Sequence, residues 1–216
     1  MRVIRLESTT STQDAARGQP IGTVVVADSQ TRGRGRLDRA WEAAPGSALL
    51  ASFVLPPRPL ASLAAGVATA EACGTRARLK WPNDVLLDGG KLAGILIEAD
   101  AGRCVVGVGV NLTDAPVGAA QLGPDASRDA LLERLGAGLQ RWWEAADAAI
   151  LVAWRERADT LGRQVRVELP GESFEGVAEA ITGDGALLVS GRVVVAGDVI
   201  HLRVAPGAGG SRPPGP

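Results

Sequence analysis

Hydrophobic positions in the first half of the chain fall into short runs that predict strands and one buried helix. The β-branched run at residues 23–27 predicts a buried strand, and residues 47–55 predict another that two prolines close. Residues 60–73 are rich in alanine with apolar positions at helical spacing, which predicts a buried helix. Two further runs, residues 92–99 and 104–111, flank a turn signal and predict a hairpin.

The second half of the chain changes from helical to strand-like patterning. Ser127 is predicted to cap a long helix whose apolar face carries Leu131, Leu135, Leu139 and Trp142. A second helical stretch ends near Gly162. Residues 164–205 then form short β-branched runs separated by Gly-containing turns, which predicts a small barrel. The tail, residues 206–216, is so rich in Gly and Pro that we expect it to be disordered.

The order of these elements predicts the fold class. Most predicted strands are neighbours in sequence, which favours an α+β fold over a regular strand–helix–strand alternation. We expect a mixed, mostly antiparallel sheet with helices packed on one side, followed by a small C-terminal β-barrel. The corresponding domains are residues 1–162 and 163–205, with the tail at 206–216.

Charge and composition exclude several classes of function. The net charge is −1, yet the segment QTRGRGRLDRAW at residues 30–41 contains four arginines. Such a local cluster in a nearly neutral chain argues against general nucleic-acid binding, which needs a basic domain. Cys73 and Cys104 have the apolar surroundings of core residues, and His201 lacks partner ligands. Without a leader or a membrane-length apolar run, we expect a reduced, cytoplasmic protein with no membrane contact.

The arginine-rich segment is the first candidate for chemistry. Gly33 and Gly35 allow the backbone to approach a ligand, and Arg34, Arg36 and Arg39 suit carboxylate or phosphate oxygens. A solvated basic loop with no specific partner explains the segment equally well when it is taken alone. RNA binding through an RGG-like segment is a third interpretation, which the overall charge disfavours.

Three further features lie downstream of this loop. Asn83 and Asp84, beside Pro82, could bind an adenine edge or a hydrated Mg²⁺, or could simply form a tight turn. Lys91 enters an apolar strand and so needs an anion, unless it lies at a hairpin edge in water. The alternating glycines at residues 107–111 either leave room for a flat ligand or merely weaken the strand.

The order and spacing of these features resemble the biotin protein ligases, also called biotin–[acetyl-CoA-carboxylase] ligases. The matching elements are Ser11-Thr12, GRGRLDRAW, KWPNDVLLDGGKLAGILIEA and GVGVNL, and they span residues 3–112. The resemblance implies the class II synthetase-like fold of lipoate and biotin ligases, with an SH3-like C-terminal barrel. A lipoate ligase or octanoyltransferase of the same fold is the main alternative, and an RNA-binding module is a remote one.

The resemblance also implies a reaction and its participants. Biotin and ATP would form biotinyl-5'-AMP with Mg²⁺, and the biotinyl group would then pass to a lysine of a biotin carboxyl carrier protein. The two anions that react need fixed cations and Mg²⁺ to offset their repulsion. Family members often form homodimers, so a homodimer is implied as well. Because the sequence starts at the first catalytic strand, we expect no helix-turn-helix domain and no specific DNA binding.

The same resemblance assigns roles to individual residues. Catalysis would rest on Lys91, Arg34 and Arg36, with Asp84 helping to hold Mg²⁺. Biotin would be bound by Ser11, Thr12, Gln30, Gly33, Arg34, Gly35, Arg36, Lys91, Gly94 and Gly107. ATP would be bound by Arg36, Arg39, Trp41, Asn83, Lys91 and Asn111. The chain departs from the family's usual Ser-Thr-Asn at Gln13, which is one methylene longer than Asn, so Gln13 receives no role here.

Overall fold

The computed structural model of the chain describes residues 1–37, 39–100 and 102–202. Its main feature is a seven-stranded sheet with the order β1-β2-β3-β7-β6-β5-β4. Only β1 and β2 pair in parallel, and every other neighbouring pair in this sheet is antiparallel. The strands are β1 (Arg2–Thr9), β2 (Thr23–Gln30), β3 (Ala48–Leu55), β4 (Arg78–Lys80), β5 (Asp84–Leu87), β6 (Gly90–Asp100) and β7 (Arg103–Asn111).

Three helices cover one face of this sheet and form the core with it. They are α2 (Ala61–Cys73), α3 (Arg128–Glu144) and α4 (Asp147–Arg157). The Ala-rich α2 is buried on nearly all sides, because it lies between the sheet and the other two helices. Small side chains allow this close approach, which explains why the segment has no polar face.

The opposite face of the sheet carries α1 (Thr12–Ala16), so not every helix lies on one side as predicted. Side chains alternate between the two faces of a strand. Val24 and Phe53 therefore join the large core, whereas Val25 and Val54 form a small second cluster with Ala16 of α1. This second face is only partly covered, and the remaining space is where the candidate site lies.

The C-terminal unit is a five-stranded antiparallel sheet with the order β11-β10-β9-β8-β12. Its strands are β8 (Gln164–Leu169), β9 (Glu172–Ile181), β10 (Leu187–Val189), β11 (Arg192–Val194) and β12 (Asp198–His201). Its buried valines and leucines are continuous with the core of the first sheet. The predicted boundary after residue 162 falls between α4 and β8 and stays a prediction. The predicted disordered tail lies outside the described residues.

Hydrogen bonds join the C-terminal sheet to the turn between β4 and β5. The Trp81 backbone N–H donates to Thr160 Oγ1 at 3.0 Å, and its indole N–H donates to the Gly185 carbonyl at 3.0 Å. Thr160 Oγ1 also lies 3.2 Å from His201 Nε2, and Asp159 Oδ2 lies 3.4 Å from His201 Nδ1. The C-terminal sheet therefore helps to hold the KWPND turn. None of the helices in the described part of the chain is long and apolar enough to cross a bilayer.

The buried position of His201 predicts a pH-dependent stability. Burial, assisted by the nearby charge of Lys80, lowers the pKa of His201 from 6.5 to about 4. The unfolded state therefore binds more protons between these values, so stability should fall as the pH drops from about 6.5 towards 4. His201→Asn removes the single histidine. In urea titrations at about pH 7.5 and 5, the wild type should lose roughly 1–2 kcal/mol more than the variant. An identical pH dependence of both proteins would contradict this prediction.

Candidate active site

A cavity of about 190 Å³ opens on the sheet face that carries α1. Its walls come from α1, the end of β2, residues 34–36 and 39–41, the middle of β3, β6 and β7, the KWPND turn and β12. The predicted site residues that line it are Ser11, Thr12, Gln30, Arg34, Gly35, Arg36, Arg39, Trp41, Asn83, Asp84, Lys91, Gly94 and Gly107. Gly33 and Asn111 were also predicted, but neither lines this cavity.

One end of the cavity is polar but uncharged. Thr12 donates to Gln30 Oε1 with both its backbone N–H, at 2.7 Å, and its hydroxyl, at 3.0 Å. Ser52 Oγ lies 2.9 Å from Thr12 Oγ1 and 3.1 Å from Gln13 Oε1. Ser11 is the N-cap of α1, since its hydroxyl accepts the Gln13 N–H. This cap places Thr12 and Gln13 at the cavity wall.

The mouth of this end carries a cluster of paired charges. Arg34 Nη2 lies 2.8 Å from Asp14 Oδ1 and 3.2 Å from Glu98 Oε1, and Arg17 contacts the same two carboxylates. Arg34 Nε is buried and has no hydrogen-bond partner among the described residues. Arg34 therefore lies where it was predicted, but protein carboxylates neutralise part of its charge and one donor stays unsatisfied.

Arg36 and Arg39 of the loop face the C-terminal sheet. Arg36 Nη1 donates to Asn83 Oδ1 at 3.3 Å and to the Gly197 carbonyl at 3.4 Å, and Arg39 pairs with Asp198. Burial lowers the pKa of Arg36 below its ordinary value, while the charges of Asp198 and Asp84 oppose that effect. A half-buried guanidinium with neutral hydrogen-bond partners is a strong site for an anion.

Lys91 and Asp84 face each other across β5 and β6. Lys91 Nζ lies 2.7 Å from Asp84 Oδ1 and 5.8 Å from the centre of the Trp41 ring. The ion pair lacks hydrogen-bond alignment, so Asp84 Oδ1 is buried without a hydrogen-bond partner among the described residues. The lysine side chain is 44% exposed and so remains accessible to a ligand in the cavity.

Two glycines of β6 and β7 provide space that Trp41 fills. A Cβ atom at Gly94 would lie 2.9 Å from Trp41 Cζ3, and one at Gly109 would lie 2.5 Å from Trp41 Cε2. Gly94 was predicted to bind biotin, and in the structure the indole takes part of the space above it and above Gly109. The indole Nε1 is itself buried with no hydrogen-bond partner in the described part of the chain.

Gly33 and Asn111 have local structural contacts. A Cβ atom at Gly33 would lie 2.1 Å from the Trp41 carbonyl oxygen, so glycine is needed where the loop folds back on itself. Asn111 Nδ2 donates to the carbonyls of Lys91, at 3.3 Å, and Ala120, at 2.9 Å. Asn111 borders a second cavity of about 170 Å³, which Trp41 and Lys91 also line. Asn111 therefore lies close to the first cavity, because the two cavities share Trp41 and Lys91 as lining residues.

The chain matches two family profiles. Residues 2–113, more than half of its 216 residues, match the biotin/lipoate A/B protein ligase family, and residues 160–202 match the biotin protein ligase C terminal domain. The chain belongs to the biotin/lipoate A/B protein ligase family. The family and the fold class predicted from the sequence are thereby confirmed.

Individual relatives agree with this assignment. The biotin--[acetyl-CoA-carboxylase] ligase of Mycobacterium tuberculosis is 40% identical, over 88% of this chain and 83% of its own. The enzyme of the same name from Paracoccus denitrificans is 34% identical, over 77% of this chain and 83% of its own. The structure of Aquifex aeolicus biotin protein ligase with biotin and ATP superimposes with a TM-score of 0.79 at 27% identity, covering 94% and 99% of the two chains.

Sequence reasoning did not find several residues of this ligase-family site. Gln13 and Ser52 complete the uncharged end, Asp14 and Glu98 pair with Arg34, and Asp198 pairs with Arg39. Gln13 alone had a sequence signal, because it departs from the family's usual residue. Asp14 and Glu98 lie beside or within the motifs, but no local pattern indicated their ion pairs with Arg34. Ser52 and Asp198 lie outside the motifs, and only the tertiary fold brings them to the cavity.

The contact between Trp41 and Gly109 predicts a non-additive stability effect. Gly109→Ala should destabilise the protein by about 1–3 kcal/mol, because the new methyl group overlaps the indole. In a Trp41→Ala background that cost should largely vanish, since the overlapping atoms are gone. A double-mutant cycle from denaturant unfolding measures this coupling. Gly183→Ala is the control, since its Cβ would meet no atom within 4 Å. Equal costs in both backgrounds would show that Trp41 does not occupy this space.

Proposed function

We propose that this chain joins biotin to AMP at the expense of ATP and then transfers the biotinyl group to a lysine of a biotin carboxyl carrier protein. One observation carries the proposal. The cavity joins an uncharged polar end to a region lined by Lys91, Arg36 and Arg39, and two N–H groups of its lining residues, Arg34 Nε and Trp41 Nε1, are buried without acceptors among the described residues. Buried donors of this kind require an acceptor-rich ligand, because an unsatisfied buried N–H costs about 1–3 kcal/mol.

The uncharged end suits the ureido group of biotin. Thr12, Gln30 and Ser52 present hydroxyl and amide groups, and no charged side chain in the described part of the chain takes part in their hydrogen-bond network. These hydroxyl and amide groups can bind a neutral ligand head group that both donates and accepts hydrogen bonds. The carboxylate at the other end of biotin would then point towards Lys91 and the arginines.

The first reaction brings two anions together in the cationic region. The biotin carboxylate oxygen attacks the α-phosphorus of ATP, an acyl–phosphate bond forms, and the bond to the β-phosphate oxygen breaks to release pyrophosphate. In this proposal, Lys91 and Arg36, which both line the cavity, would contact the phosphate oxygens on which charge develops. Fixed cations of this kind stabilise the transition state without reorganisation. Arg34 exchanges its contacts with Asp14 and Glu98 for the incoming carboxylate.

The nucleotide is assigned to the region around Trp41 and the second cavity. Arg39 is 66% exposed and can turn from Asp198 towards the phosphates. Trp41 offers one indole face, while Asn83 and Asn111 border the space on either side. The adenine would stack on the indole, and the amides would bind its edge.

The residues present fit a Mg²⁺ ion that is held mainly by substrate. Among the described residues, no three His, Cys, Asp or Glu side chains come together as a metal site. Asp84 Oδ1 is a buried oxygen without a hydrogen bond, and Mg²⁺ is commonly bound by one carboxylate, phosphate oxygens and water. When bound, the ion would neutralise phosphate charge, and Asp84 would contribute one oxygen.

In the second reaction the acceptor lysine amine attacks the acyl carbon of biotinyl-5'-AMP. An amide bond forms, the bond from the acyl carbon to the phosphate oxygen breaks, and AMP leaves with its charge stabilised by the same cations. Closure of residues 30–41 would keep water from the reactive anhydride. We also propose cytoplasmic location and homodimer formation, on the grounds of family resemblance alone.

A lipoate or octanoate ligase is the second candidate function, because the family includes lipoate enzymes. The uncharged polar end favours biotin, since the dithiolane ring of lipoate and the alkyl chain of octanoate have no N–H to donate. Incubating the protein with ATP, Mg²⁺, each acid in turn and the matching carrier domain tests the choice by mass spectrometry of the carrier. We expect a biotinyl mass increase only. Modification by lipoate or octanoate without biotin would overturn the proposal.

Lys91 should be needed for adenylate formation and not for folding. Lys91→Ala removes the ammonium group that is ion-paired with Asp84, and biotin-dependent pyrophosphate exchange should fall roughly a hundredfold or more. Thermal unfolding should change little, because the side chain is half exposed. Arg76→Ala is a control, since Arg76 is exposed and outside the cavity. Exchange near the wild-type rate in Lys91→Ala would exclude the proposed role.

A further inference from the structure

We infer that Gln13 determines which acids fit the uncharged end of the cavity, by setting its depth and by presenting a fixed acceptor. This inference rests on the proposed function and refines it. Gln13 belongs to α1, is only 2% exposed and lines the cavity.

The amide of Gln13 has one orientation. Its Nε2 donates to the Val105 carbonyl at 3.0 Å, and its Oε1 lies 3.1 Å from Ser52 Oγ. Only the nitrogen can face a carbonyl oxygen, so the oxygen must face Ser52 and the other groups of the uncharged end. The side chain thus spans from α1 over β3 to β7 as a rigid wall.

Gly107 and Gln13 are complementary in size. A Cβ atom at Gly107 would lie 2.5 Å from Gln13 Oε1, closer than such atoms can approach. Gly107 was predicted to make room for biotin, whereas in the structure its missing side chain makes room for Gln13. The glutamine therefore sets how deep a ligand can reach at this point of β7.

The uncharged end has more acceptor lone pairs than protons to fill them. Three oxygen–oxygen contacts link Gln30 to Thr12, Thr12 to Ser52 and Ser52 to Gln13, but only the two hydroxyl groups supply protons for them. One contact therefore has no proton between its oxygens, although Gln30 Oε1 also accepts the Thr12 backbone N–H. Gln13 Oε1 has two lone pairs and receives at most one proton, from Ser52, so it can also accept an N–H from a ligand. A ligand N–H completes the network, whereas a head group without N–H leaves it incomplete.

The test compares biotin with biotin methylated at either ureido nitrogen, in ATP–pyrophosphate exchange. The methyl group replaces one N–H hydrogen and needs a deeper cavity at the uncharged end. Gln13→Asn keeps the amide but is one methylene shorter, so it should accept at least one methylated isomer better. We expect the ratio of kcat/KM for biotin to that for the methylated acid to fall about tenfold, mainly through KM.

Two further variants make the test specific. Gln13→Met keeps approximately the side-chain length but removes the acceptor, so its preference for biotin over lipoate should weaken while the depth limit remains. Gln140→Asn makes the same amide change on an exposed position of α3 and should leave both ratios unchanged. If Gln13→Asn does not fold, the measurements on Gln13→Met can still contradict the inference.

The outcomes separate this inference from the proposed function. If wild type does not activate biotin, the proposed function itself is wrong. If wild type activates biotin but the Gln13 variants lose activity with all acids equally, Gln13 only stabilises the fold and the inference is overturned. Unchanged ratios in both Gln13 variants overturn it as well.

Discussion

The candidate site depends on the close packing of two side chains, Trp41 and Gln13, against glycines of β6 and β7. At Gly94 and Gly109 the indole of Trp41 approaches the backbone, and at Gly107 the amide of Gln13 does so. A single methyl group at these positions would overlap a neighbour that is itself held by the loop or by α1. The glycines therefore fix the heights of Trp41 and Gln13 above the sheet, and these two side chains shape the cavity between them.

The charged side chains of the cavity are largely paired within the protein. Arg34 contacts Asp14 and Glu98, Arg39 contacts Asp198, and Lys91 contacts Asp84. A cluster of unpaired cations would destabilise the ligand-free protein, and the carboxylates offset that cost. Anionic substrates must then compete with these carboxylates, so binding exchanges one set of ion pairs for another.

The C-terminal sheet contributes both to the position of the KWPND turn and to the charged pairs of the cavity. Thr160 and Gly185 hold Trp81, which precedes Asn83 and Asp84, and β12 supplies the partner of Arg39. The apolar core continues from one sheet to the other, so the two units are coupled by packing as well as by hydrogen bonds. This arrangement explains why strands so late in the chain affect a cavity built mainly from the first half.

The sequence by itself determined the fold class, most strands and helices, and the family, because periodicity, turn residues and contiguous motifs are local properties. It also identified about half of the cavity residues, since these lie in the motifs. Only the tertiary structure decided that α1 lies on the opposite face, that Trp41 and Gln13 take the space above the glycines, and that Asp198 and Ser52 belong to the site. These contacts join residues on strands and loops that are distant in sequence. Strand register and face, which bring them together, arise from packing of the whole chain and not from any local pattern.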